Sequence, residues 1–145
     1  MLTIQPFHRS HYSRLNPQIQ QIKAKGLPAS QLEAIEASYT FTVFADDTPI
    51  AVAGLIEHWA GRWMAWCILS EDARRHLFAL TKIARQHLAL IAEDRVEASV
   101  DCDFSEGHRW LKLLGFECET PRAKHYSGNT DYALYAKVGA NNDGC

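Results

Sequence analysis

The sequence predicts a layered α/β protein, a mixed sheet covered by helices, and three observations predict it. Between Thr40 and Leu69 the β-rich runs "TFTVFA", "PIAVAGLIEHW" and "RWMAWCIL" are separated only by turn signals at Asp46-Asp47 and Ala60-Gly61, the pattern of an antiparallel meander. From Asp72 to Ala92, the residues Leu77, Leu80, Ala84, Leu88 and Ile91 recur at three- and four-residue steps, the stripe of a helix lying on a sheet. Strand-like and helix-like segments then alternate to the C-terminus, so the sheet has helices to bury its faces.

Each element has its own signal. "LTIQPF" alternates as a short opening strand that ends at Pro6. "SHYSRLNPQIQQIKAKG" reads as helical, with Asn16 as N-cap, Pro17 at the first helical position and Gly26 as the stop. In "SQLEAIEASY", Ser30 and Glu33 have the spacing of a capping box, and Leu32, Ile35 and Tyr39 share a face. The three meander strands follow, the third apolar at almost every position, as a strand buried on both faces should be. After the long helix, "RVEASVD" alternates as a fifth strand. "DFSEGHRWLKLLGF" is a short helix with a capping-box spacing at Asp103 and Glu106 and a left-handed terminator at Gly115. "FECET" and "TDYALYAKV" close the sheet. The order is β-α-α-β-β-β-α-β-α-β-β, with six to seven strands and about four helices. It forms a single domain over residues 1–139, with 140–145 as a flexible tail.

Composition excludes several function classes. With 145 residues, 47% apolar, 22% charged and a net charge of −2, the chain is an ordinary globular domain without bulk attraction for nucleic acid or membrane. No apolar run approaches the ~20 residues that span a bilayer, and the N-terminus lacks a signal-peptide pattern, so a cytoplasmic protein is expected. The four cysteines, Cys67, Cys102, Cys118 and Cys145, include no Cys-x-x-Cys pair and read as free thiols. The seven histidines are scattered, so no metal site is expected.

Three local segments carry a family resemblance over nearly the whole chain. "TPIAVAGLIEH" as third strand, "CILSEDARRHLFAL" as fourth strand plus turn, and "GHRWLKLLGFE" as short helix plus sixth strand together resemble the GNAT acetyltransferase superfamily. The run "LIEHWAGRWMAWCILSEDARRH" further resembles small GNAT-like proteins of tailed phages and prophages, some of them similar to an internal virion protein. The resemblance implies transfer of an acetyl group from acetyl-coenzyme A to a small-molecule or protein amine. It also implies where the coenzyme lies: its pantetheine amides on the backbone of Cys67, Ile68 and Leu69, its pyrophosphate on the turn Arg74, Arg75, His76, Leu77, Phe78 and Ala79. Orphan amides and the helix dipole favour an anion at such a point.

The turn departs from the family's Gln/Arg-x-x-Gly-x-Gly/Ala pattern at Leu77, where glycine allows close approach of a phosphate. The cations of Arg74, Arg75 and His76 suit phosphate oxygens in return. Two further family residues are replaced: the thiolate-protonating tyrosine aligns with Leu111, and an asparagine near the helix start with Phe104. Glu57, beside His58, is the candidate general base, and Tyr126 the substitute acid. The alternatives are an exposed strand-end carboxylate for Glu57 and a loop aromatic packed on the sheet for Tyr126. His108 stands beside the expected cleft, and Trp59, Trp63, Trp66 and Trp110 either line an acceptor pocket or cover the core. Against the enzyme stands a catalytically silent GNAT-fold protein of phage or prophage origin, acting in a virion or binding a host protein.

Overall fold

The computed structural model of the chain describes residues 1–18, 21 and 27–139. Among these residues the elements run β1 (Leu2–Pro6), α1 (Arg9–Arg14), α2 (Ala29–Glu36), β2 (Tyr39–Ala45), β3 (Thr48–Trp59), β4 (Arg62–Leu69), α3 (Leu77–Ala89), β5 (Arg95–Asp101), α4 (Ser105–Leu113), β6 (Glu117–Ser127) and β7 (Thr130–Lys137). This is the predicted order. The strands form one sheet in the order β1-β2-β3-β4-β5-β7-β6. The β4–β5 ladder is parallel, and the β1–β2, β2–β3, β5–β7 and β6–β7 ladders are antiparallel. The chain divides into two compact units, Met1–Ile56 with Ala65–Leu80, and Glu57–Met64 with Thr81–Cys145.

In the first unit Phe7, Tyr12, Leu15, Val52 and Ile68 form a buried cluster, and Leu27, Leu32, Ile35 and Trp66 pack against it. Leu32 and Ile35 come from α2, where their three-residue spacing turns both inward. The cap of α2 differs from expectation. Pro28 is the N-cap and its carbonyl accepts from the N–H groups of Gln31 and Leu32, so Ser30 already lies inside the helix and forms no box with Glu33. The helix expected from Ser10 to Gly26 is also corrected. α1 covers only Arg9–Arg14 and is capped by His8, whose ring accepts the Ser10 N–H while the His11 ring accepts the His8 N–H. It ends before Asn16 because a residue preceding proline is driven out of helical backbone. Pro17 makes an antiparallel bridge with Ser70 instead of opening a helix. The remainder of that expected helix, at 19–20 and 22–26 with Gly26 as its stop, lies outside the described residues.

The expected helix start at Asp72 is a 3-10 turn, Glu71–His76, and the α-helix proper begins at Leu77. The helix also stops at Ala89 rather than Ala92. Leu90 and Ile91 donate to the carbonyls of His87 and Leu88, three residues back, and these tighter turns end it without a glycine.

In the second unit β5 alternates as predicted, with Val96, Ala98 and Val100 buried. α4 lies over it so closely that a Cβ at Gly107 would come within 2.6 Å of Val100 Cγ2. Trp110 Nε1 donates to Thr81 Oγ1 at 2.8 Å, tying α4 to α3. The Asp103–Glu106 box does not form; Phe104 is the N-cap, and Asp101 shapes the approach by accepting the Asp103 N–H. Gly115 does terminate the helix at φ +99°, and its N–H and that of Phe116 satisfy the carbonyls of Lys112 and Leu111.

Two strand expectations change. β4 is half-buried rather than buried on both faces, with only Ile68 fully covered. β6 runs on past the predicted "FECET" to Ser127, because Pro121 sits on an edge strand where its missing N–H costs no ladder bond. Repeated register shifts against β7 absorb the irregularity. Residues 140–145, the expected tail with Cys145, lie outside the described residues.

The first unit's core is tested by Leu15→Ala. Leu15 is 1% exposed, so truncation should cost about 2–5 kcal/mol, read as a lower urea midpoint at unchanged slope.

Candidate functional site

The first unit holds the residues predicted to carry a coenzyme. In β4 successive backbone groups point to opposite edges. Ser70 donates its N–H to Ile50 of β3 at 2.8 Å, so Cys67 and Leu69 present theirs to the edge away from β3. That edge is engaged by two glutamines. Gln21 Nε2 donates to the Cys67 carbonyl at 2.8 Å, and Gln21 Oε1 accepts the Leu69 N–H at 2.8 Å. The Gln18 N–H donates to the Leu69 carbonyl at 2.9 Å, and the Glu71 N–H to the Asn16 carbonyl at 3.2 Å. Gln18 is itself buried, and its side-chain amide donates to Gln21 Oε1 at 3.0 Å. Ile68 faces the core, and enclosure of the Cys67 thiol pushes its pKa up to about 12, leaving it inert.

Beyond β4 the 3-10 turn starts with Ala73 donating to the Ser70 carbonyl at 3.1 Å. The Ser70 hydroxyl is buried and has no hydrogen-bond partner among the described residues. Arg74 and Arg75 are exposed, and Arg75 pairs with Asp72 at 2.9 Å. Leu77 is 40% exposed and Phe78 89% exposed. The side chain that stands where the family's pattern has glycine is therefore partly exposed.

This edge has the chemistry for pantetheine. A primary carboxamide already sits on Cys67 and Leu69 through two 2.8 Å bonds, offering an N–H donor and a C=O acceptor as the secondary amides of pantetheine also do. The turn adds cations for phosphate. The residues present fit the group once the glutamine leaves.

The second unit holds Glu57 and Tyr126. Glu57 is exposed near the end of β3. Side chains two apart on a strand share a face, so Glu57 lies with Trp59, over whose ring the Arg62 guanidinium stacks at 4.4 Å. Arg62 lines a groove of about 190 Å³ together with Arg95, Glu97, Ser99, Glu119 and Tyr126. Tyr126 is on β6 rather than on a loop, half-exposed, its ring 5.5 Å from that of Tyr132.

A ladder of charge floors the groove. Arg62 grips Glu97 with two bonds of 2.6 and 2.9 Å, Arg95 Nε reaches the same carboxylate at 2.8 Å, and Arg95 holds Glu119 through its other nitrogens. The bonds from Arg62, opposed by burial and reinforced by Arg95, hold the Glu97 carboxyl at about 2. Glu97 is therefore a fixed anion and no proton acceptor near neutrality.

His108 serves the fold. Its Nε2 faces the carbonyls of Asp101 and Cys102, which only accept, so Nε2 carries the proton and Nδ1 accepts from the Tyr135 hydroxyl at 2.7 Å. The tryptophans have separate tasks: Trp59 stacks on Arg62, Trp63 donates to Asp94, Trp66 packs in the first unit's core and Trp110 ties two helices. Gln18, Gln21 and the Arg–Glu ladder escaped sequence reasoning. Their partners lie 35 to 51 positions away for the most part, and glutamines in a polar helix-like run give no local signal.

No family model matches the sequence, and no curated relative matches it. Solved structures do. Ard1 from Thermoplasma volcanium superposes with a TM-score of 0.75 at 16% identity, covering 95% of this chain and 97% of its own. The ribosomal-protein-S18-alanine N-acetyltransferase from Escherichia coli gives 0.72 at 14%, covering 100% and 99%. An acetyltransferase of the GNAT family from Bacillus anthracis gives 0.71 at 12%, covering 94% of both chains. The chain has the fold of these N-acetyltransferases. The narrower resemblance to phage and prophage proteins gains no support from them. No helix among the described residues is long and apolar enough to cross a membrane.

The ladder gives a pH prediction. A carboxylate whose folded pKa is depressed stabilises above its unfolded value and loses that contribution as pH falls through the folded one. For Glu97 the window runs from about 4.5 down to about 2. Glu97→Gln should melt lower than wild type at pH 7, and the gap should narrow across that window. A constant gap in thermal melts from pH 7 to pH 2 counts against the assignment.

Proposed function

We propose that the protein is an N-acetyltransferase that transfers an acetyl group from acetyl-coenzyme A to an amine, small-molecule or protein-borne, in the cytoplasm. The carboxamide seated on Cys67 and Leu69 is the observation that carries this reading. It occupies the strand edge that the GNAT fold uses for the amides of its coenzyme. Bound acetyl-coenzyme A supplies a thioester whose carbonyl carbon an amine attacks.

The chain's residues divide the remaining work. Cys67 and Leu69 hold the pantetheine through C=O and N–H, with Ile68 anchoring the strand in the core. Arg74, Arg75 and His76 offer charge to phosphate oxygens along a turn completed by Leu77, Phe78 and Ala79. Glu57 takes a proton from the attacking amine, directly or through a water it orients. Tyr126 or solvent returns a proton to the departing thiolate, because Leu111 has none to give. A backbone N–H near Leu69 steadies the developing oxyanion.

The second reading, a catalytically silent scaffold, is favoured by leucine at position 77 in place of the family's glycine. Thermal melts separate the two. A ligand that binds only the folded state raises the melting temperature with concentration, and millimolar acetyl-coenzyme A should do so. No shift rejects the enzyme. Given an acceptor found by thiol release, Glu57→Gln should slow turnover by ~10²–10⁴-fold and Tyr126→Phe by less, both with little change in coenzyme affinity. Wild-type turnover in Glu57→Gln would reject the base.

A further inference from the structure

We infer that Gln21 is a built-in competitor for the coenzyme, its side-chain amide holding the β4 edge until a pantetheine amide displaces it; this rests on the acetyltransferase reading above. The first ground is matched hydrogen-bonding capacity. Cys67 offers an accept-only carbonyl and Leu69 a donate-only N–H, and Gln21 meets each with the right atom at 2.8 Å. A carboxamide presents a donor and an acceptor in one plane; glutamate lacks the donor and an aliphatic side chain lacks both.

The second ground is that the cover leaves one group unpaired among the described residues. Pro17 bridges Ser70, yet the Ser70 hydroxyl beneath it is buried with no partner among the described residues. Buried polar groups normally find partners. A segment that exists only to close the fold would satisfy what it covers, whereas one that stands in for a ligand leaves groups for that ligand to satisfy.

The third ground is reversibility. Gln21 is only half-buried, and it is held to β4 by neutral hydrogen bonds from a flexible side chain. Gln18 sets it in place: its own N–H takes the Leu69 carbonyl at 2.9 Å, its buried side chain bonds Gln21 Oε1, and its carbonyl accepts the Gln21 N–H at 2.8 Å. Release of one side chain thus frees both the N–H of Leu69 and the carbonyl of Cys67.

A competitor inside the protein lowers the apparent affinity by the fraction of molecules it closes. The test uses the full chain, wild type beside Gln21→Ala and Gln21→Leu, the latter keeping the bulk without the amide. Hydrogen exchange should be faster at the Leu69 amide in both variants. Calorimetric titration with coenzyme A should show about tenfold tighter binding, the magnitude of two lost neutral hydrogen bonds. Unchanged exchange at Leu69 overturns the contact. Equal or weaker affinity in both variants, with wild type binding, overturns the competition and leaves the acetyltransferase reading standing. No binding of coenzyme A by any of the three overturns that reading and the inference with it.

Discussion

Backbone groups that leave water must be paired, and at the far end of β4 this requirement shapes the first unit. The parallel ladder to β5 comprises Arg62, Trp63 and Met64, while β4 continues to Leu69. Cys67 and Leu69 therefore need partners other than a neighbouring strand. An unpaired buried amide costs about 1–3 kcal/mol, enough to dictate where the preceding segment goes. Asn16, Pro17, Gln18 and Gln21 all meet β4 or the turn beyond it. The break after α1 follows: a helix through Asn16 and Pro17 would turn their backbone groups inward and leave the strand edge unserved.

The second unit solves a different problem. Its groove is polar, and the four charges that floor it are arranged Arg62–Glu97–Arg95–Glu119 so that each has an opposite neighbour. Partly buried pairs of this kind add little net stability but are costly to break singly. Their use is positional. Arg62 is held by Glu97 on one side and stacks on Trp59 on the other, which ties the end of β3 to the start of β4 beside it. Glu57 stands on that face, and Tyr126 lines the same groove.

The fold was legible in the sequence because its signals are local. The alternation of Val96, Ala98 and Val100, the apolar stripe of α3 and the glycine at 115 each depend on residues within a turn or a strand of one another. Capping-box spacings at Ser30–Glu33 and Asp103–Glu106 do not mark the caps because the spacing is common and the helices start elsewhere, with Pro28 and Phe104 as N-caps. β6 was cut short at Pro121 because the proline rule carries no knowledge of which strand lies at an edge. The site was legible only where resemblance named the residues. Gln21 contacts Cys67 and Leu69 across 46 and 48 positions, and no periodicity encodes a side-chain amide acting as a strand.

Leu77 and Gln21 are best understood together. Glycine at position 77 would let a phosphate approach the turn closely, and on the proposed reading its absence would weaken one end of a coenzyme's grip. A carboxamide on the β4 edge would weaken the other end by competition. On the proposed reading both features act on the same ligand, yet neither removes the groups proposed to bind it: the cations at Arg74, Arg75 and His76 remain, and so do the C=O and N–H of Cys67 and Leu69. Leu77 is 40% exposed, and glycine there would cost about 1 kcal/mol in helix propensity. An apolar side chain would leave the backbone unpaired, but a direct main-chain ladder would pair it permanently. A displaceable amide pairs it reversibly, which favours an attenuated binding site over a discarded one.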